Sequence, residues 1–187
     1  MRKNFGVEPY TYVQPVYIIA TYDEDGIPNA MNAAWGGLSE SNRISFCISA
    51  GHKTIANVME TKAFTVSMGN TKNVVACDYV GIISGNKERD KFAKAGFHAT
   101  KSEFVNAPLI DELPMALDCK LVSYDRETET LIGEIVNVNA DESILDSDGK
   151  IDPQKFMPII YDPVNHTYLE IGKKVGNAFS DGKALCK

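Results

Sequence analysis

Hydrophobic and polar positions in this chain of 187 residues fall mainly into short alternating or β-branched runs. Pro15-Val16-Tyr17-Ile18-Ile19-Ala20-Thr21 is β-branched and aromatic and ends at Asp23-Glu24-Asp25-Gly26, which predicts a strand entering a hairpin turn. The return strand should be Pro28 to Gly37, PNAMNAAWGG, yet only Met31 and Trp35 in it are large. Ile44–Ile48 predicts the next strand, and Phe64–Met68 alternates as a half-buried strand does. Between them Thr54 reads as an N-cap, with Ile55, Val58 and Met59 at helical spacing behind it. Asn73–Val80 and Glu88–Ala95 predict two short helices, the second closed by Gly96 at C′. Ala116–Tyr124 and Thr130–Asn139 predict strands flanking an acidic turn, Asp125 to Glu129. A short strand around Tyr161 and another over His166–Ile171 precede a Gly- and Lys-rich tail. About six to eight short strands with a few helices, and neither repeat nor linker, predict a mainly β fold. The expected form is an antiparallel barrel with short helices packed around it, residues 1–187 forming one domain.

Composition narrows the function classes. With 44% hydrophobic and 24% charged residues, the chain is that of an ordinary soluble protein with one sizeable core. A net charge of −6 argues against a nucleic-acid partner, so any anionic ligand must be held by local donors and lysines. The N-terminus shows no leader pattern, and no run approaches the roughly 18 apolar residues of a membrane span. Cys47, Cys77, Cys119 and Cys186 form no CxxC; Cys47 and Cys119 read as buried free thiols, which implies a reducing cytoplasm.

Two stretches could hold a ligand. Ser49-Ala50-Gly51-His52-Lys53-Thr54 joins a strand to a helix N-terminus, where free N–H groups, hydroxyls and Lys53 suit an anion. It lacks P-loop spacing, and a capped helix with a solvated lysine explains the same residues. In PNAMNAAWGG, Ala30, Ala33, Ala34, Gly36 and Gly37 permit close approach to the backbone, Asn29 and Asn32 offer amides, and Trp35 offers a flat face. That combination suits a planar hydrogen-bonding ligand; it equally suits a tight strand crossing with Trp35 as core anchor. Asp146-Ser147-Asp148-Gly149-Lys150 is only a fragment of a calcium loop and reads as a surface turn. His52, His98 and His166 have no metal-ligand spacing, and neither Cys119 nor Ser67 carries a nucleophile signature.

Taken in order, these segments resemble the flavin reductase-like FMN-binding proteins, most of all the flavoredoxins. The likeness begins with Pro15–Gly37 and continues through Ser49–Thr54, Asp78-Tyr79-Val80-Gly81, Asp90-Lys91-Phe92, Ala95-Gly96-Phe97, Gly133-Glu134-Ile135-Val136 and Ile171-Gly172-Lys173. The resemblance implies a split β-barrel holding FMN without a covalent link, as a homodimer with the flavin near the interface. It places Asn29, Met31 and Trp35 in the flavin site, with Asn32, Ala33 and Ala34 presenting backbone to the ring. Lys53, Thr54, Ser49 and Ala50 would meet the phosphate or ribityl chain, Lys91 would add a polar contact, and Tyr161 would lie near the ring. One departure stands out: relatives often carry a flavin-contacting His before the Gly-Glu strand, where this chain has Thr128-Glu129-Thr130. A glutamate beside an anionic reduced flavin would disfavour it.

The resemblance implies an FMN-dependent oxidoreductase or electron carrier, supplied by NAD(P)H or a small redox protein, with no protein acid–base residue required. Two alternatives stay open at this point: a reductase that uses flavin as a released substrate, and a non-catalytic flavin-binding protein.

Overall fold

The computed structural model describes residues 1–186. A seven-stranded antiparallel sheet runs in the order β3-β2-β6-β9-β10-β5-β4, built from β2 (Tyr17–Tyr22), β3 (Pro28–Ala33), β4 (Gly36–Glu40), β5 (Arg43–Cys47), β6 (Ala63–Met68), β9 (Met115–Asp125) and β10 (Thr130–Ala140). A three-stranded sheet, β1 (Gln14–Pro15), β11 (Ile159–Asp162) and β12 (Thr167–Glu170), and the pair β7 (Ala99–Lys101) and β8 (Pro108–Ile110) complete the strands.

The topology resolves PNAMNAAWGG. It is two strands, on opposite edges of the sheet, separated by Ala34 and Trp35 alone. Three Cα steps of about 3.8 Å join Ala33 to Gly36, so the sheet must curl until its edges meet at this corner. The two edges share no ladder, and the result is a split barrel. Small residues are needed where the edge turns: a Cβ on Gly36 would lie 2.2 Å from the Phe46 ring. Trp35 is 60% exposed, so the reading of it as a core anchor is overturned.

β2 is buried along Ile18–Thr21 because both its faces are covered. Ile19, opposite Met31 and Val66, points into the barrel with Phe46, Phe64, Leu117 and Leu131. Ile18 and Ala20 face outward, onto Cys77, Val80, Phe92, Phe97 and Ile159. That outer cluster seats α2 (Val74–Ile82) and α3 (Lys91–Lys94) against the barrel wall, while α1 (Lys53–Thr61) inserts Ile55 and Val58 into the barrel core. β6 is buried on both faces for the same reason and is not half-exposed. The predicted turns hold: Asp23 accepts from the N–H groups of Asp25 and Ile27, and Gly26 takes φ +77°. Asp146 caps its own loop in the same way, accepting from the N–H groups of Asp148 and Lys150. Cys119 and Cys77 are buried, but Cys47 is exposed at the end of β5, which corrects its placement in the core. Among the described residues no helix is long and apolar enough to cross a membrane.

Candidate functional site

Where β3, the start of α1 and the end of α2 converge, a cavity of about 350 Å³ opens to the surface. β3 supplies Asn29, Met31 and Asn32; the loop into α1 supplies Ser49 and His52, and the first turn of α1 Lys53 and Thr54; α2 and the turn after it supply Val80 to Gly85, with Lys91 behind. Gly85 allows this turn to close on the site, since a Cβ there would lie 2.4 Å from Asn29 Oδ1.

The helix begins at Lys53, with His52 as N-cap and no side-chain cap. Thr54 is therefore inside the helix rather than capping it. Its hydroxyl accepts a 3.1 Å hydrogen bond from Asn29 Nδ2, tying β3 to α1, and its own proton stays free to donate. The Lys53 and Thr54 N–H groups meet no acceptor among the described residues. Lys53 also enters none of the ion pairs there. Two unpartnered backbone donors, a hydroxyl and an ammonium thus belong to residues that line one cavity at the positive end of a helix.

Lys91 is only 3% exposed, and its Nζ donates to the carbonyl oxygens of Val80 (3.0 Å) and Ile83 (2.8 Å). It closes the C-terminal end of α2, which shapes the cavity wall. Burial lowers its pKa to about 8. Asn32 bridges in the other direction, its Nδ2 donating to the Cys77 carbonyl at 3.2 Å. Asn32, Gly81 and Ile82 also line a neighbouring depression of about 410 Å³, completed by Ala34, Asp78, Tyr161, His166 and Tyr168. There Tyr161 Oη and His166 Nδ1 lie 2.7 Å apart, and Tyr168 Oη donates to Asp78 at 2.8 Å. Burial, and then that carboxylate, raise the Tyr168 pKa.

The first cavity thus unites Asn29, Met31, Asn32, Ser49, Lys53, Thr54 and Lys91, and the second holds Asn32, Ala34 and Tyr161. Ala33 faces the barrel core, and Trp35 and Ala50 are exposed outside both linings. Among the residues that sequence reasoning missed are Ile82 at the end of α2, the turn after it, Ile83 to Gly85, and the Asp78–Tyr168 pair. Ser84-Gly85-Asn86 was the available signal, as turn-forming sequence directly after an apolar helix. The nucleophile candidates are closed off: burial pushes the Cys119 thiol up to about 12, and Ser67 is fully buried. No group of His, Cys, Asp and Glu among the described residues could hold a metal ion.

The family model described as flavin reductase like domain matches residues 10–163. Among solved structures, the chain resembles the flavoredoxin of Desulfovibrio vulgaris (Miyazaki F), with 39% identity, TM-score 0.93, and coverage of 98% of this chain and 100% of that one. It also resembles a flavoredoxin from Methanosarcina acetivorans, with 24% identity, TM-score 0.87 and coverage of 98% and 100%. The FMN-binding domain of a flavin reductase-like enzyme from Shewanella baltica shares the fold at 17% identity, TM-score 0.78, covering 88% and 89%.

Proposed function

This chain belongs to the flavin reductase-like domain family, and we propose that it is a flavoprotein that holds FMN non-covalently for oxidoreduction or electron transfer. The observation that carries the reading is the set of unpartnered donors at the start of α1: the Lys53 and Thr54 N–H groups and the Lys53 ammonium. A phosphomonoester carries about −1.5 to −2 charge, and such a helix start is suited to it although the protein is acidic. Support also comes from the family match and from the FMN-binding domain of the Shewanella baltica enzyme, which has the same fold.

In this reading Lys53 and Thr54 hold the phosphate, with Ser49 beside them. The passage lined by Asn32, Gly81 and Ile82, shared by both cavities, carries the ligand from the phosphate end to the ring end. The ring lies toward Ala34 and Tyr161, which line the second cavity. Bound FMN supplies the redox centre that accepts and releases electrons. The protein's own groups bind the phosphate, orient the ring through Asn32, and fix the wall through Lys91. The electron donor is NAD(P)H or a small redox protein. The protein acts as a homodimer, the second copy covering the apolar groove beside Leu38 and Val138, both exposed in one chain.

The absorption spectrum of the purified protein tests the reading. A flavin spectrum, or its appearance on adding FMN, is expected; a protein that stays colourless with excess FMN overturns it. Anaerobic NADH and NADPH additions then separate carrier from reductase: rapid reduction of free flavin would make flavin a released substrate.

A further inference from the structure

Glu129 stands in the turn between β9 and β10 with φ +54°, a left-handed backbone that costs a residue with a side chain about 1–2 kcal/mol. Its carboxylate reaches back to the loop before α1. Oε2 accepts from the Ser49 hydroxyl at 2.7 Å, and Oε1 from the Ala50 N–H at 3.4 Å. Holding that loop does not require the side chain. The Glu129 carbonyl already accepts from the Ile48 N–H at 2.8 Å, and Tyr124 Oη donates to the Ile48 carbonyl at 2.7 Å. Ser49 lines the cavity and Glu129 does not. A half-buried anion is therefore seated on Ser49, a residue of the cavity lining, four positions before the unpartnered N–H of Lys53.

We propose that Glu129 is an internal anion that competes with a ligand's phosphate for the Ser49 hydroxyl, and so sets how strongly the site prefers a phosphorylated flavin over its unphosphorylated parent. The inference rests on the FMN reading. Without a phosphate, the carboxylate satisfies the Ser49 and Ala50 donors. A phosphate entering beside it meets like charge that water at the mouth screens only partly, and two anions cannot share one hydroxyl proton. The side chain is displaced into solvent, and that displacement offsets part of the phosphate's attraction. Riboflavin, which has no phosphate, leaves Glu129 where it is.

The experiment measures dissociation constants of FMN and of riboflavin for the full-length chain, dialysed free of flavin, as wild type, Glu129→Gln and Glu129→Gly. Glutamine keeps the length and loses the charge. Glycine suits the left-handed backbone, so at least one variant folds, and melting curves check both. FMN should bind the variants about three- to tenfold more tightly than wild type, with riboflavin changed less than twofold. FMN affinity unchanged or weakened in a variant that melts like wild type would overturn the proposal and make Glu129 a brace for the loop. If wild type binds neither flavin, the FMN reading fails and this inference falls with it.

Discussion

The cavity between β3, α1 and α2 encloses about 350 Å³ walled by amides, hydroxyls, two lysines and turn backbone. The groove on another side of the barrel is larger, about 580 Å³, and is walled mostly by apolar side chains, among them Leu38, Ile44, Met68, Leu117 and Ile135. Volume alone would choose the groove. Chemistry chooses the smaller cavity, because a helix start there leaves the Lys53 and Thr54 N–H groups without acceptors, and an unpaired donor favours whatever ligand satisfies it. The groove offers the opposite incentive: Ser41, Asn42 and Asn137 bring polar side chains to it, and the rest is mainly apolar surface that gains from being covered. A ligand with a charged end belongs to the first, and a flat apolar partner surface to the second.

Separate substitutions should divide the two regions. Lys53→Ala should weaken FMN about ten- to a hundredfold while leaving riboflavin nearly unchanged, the loss expected for a charge-assisted hydrogen bond of about 1.5–3 kcal/mol; titration with both flavins measures it. Leu38→Asp, at an exposed groove position, should raise the dimer dissociation constant tenfold or more in sedimentation, with no change in the melting of the single chain. Thr54→Val should weaken FMN about three- to tenfold, and leaving Asn29 Nδ2 unpaired in the interior should cost about 1 kcal/mol in denaturant unfolding. The smallest effect belongs to pH. Lys91 loses its proton near pH 8 in the folded chain and near 10.5 when unfolded, so between these values the unfolded chain binds more protons and stability rises with pH. The gain from pH 8 to 9 should be about 1 kcal/mol, and Lys91→Met should abolish it. Above pH 10 the hydroxyls of the half-buried Tyr17 and Tyr168, whose pKa values are raised, reverse the trend.

Much of the barrel was legible because β-branched runs and acidic-Gly turns are local signals. β2, its hairpin turn, β5 and the long β9–β10 pair lie close to where the patterns place them. PNAMNAAWGG was not, because its break comes from curling of the whole sheet rather than from any residue within it. Trp35 sits at that corner, exposed, where the meeting of two edges leaves it no core to fill. Thr54 and Lys91 show the same limit at the scale of one side chain. Each is a residue type suited to the role expected of it, and each is bound to a partner distant in sequence: Thr54 to Asn29, and Lys91 to Val80 and Ile83. The reach of Glu129 to Ser49 across 80 residues was equally out of view.

In the proposed function the start of α1 is a phosphate site and the cavity beyond it a flavin site. Parallel titration of the flavin-free protein with FMN and with riboflavin tests it most directly. The account predicts saturable binding of both, with FMN at least tenfold tighter; equal affinity for the two flavins would contradict it.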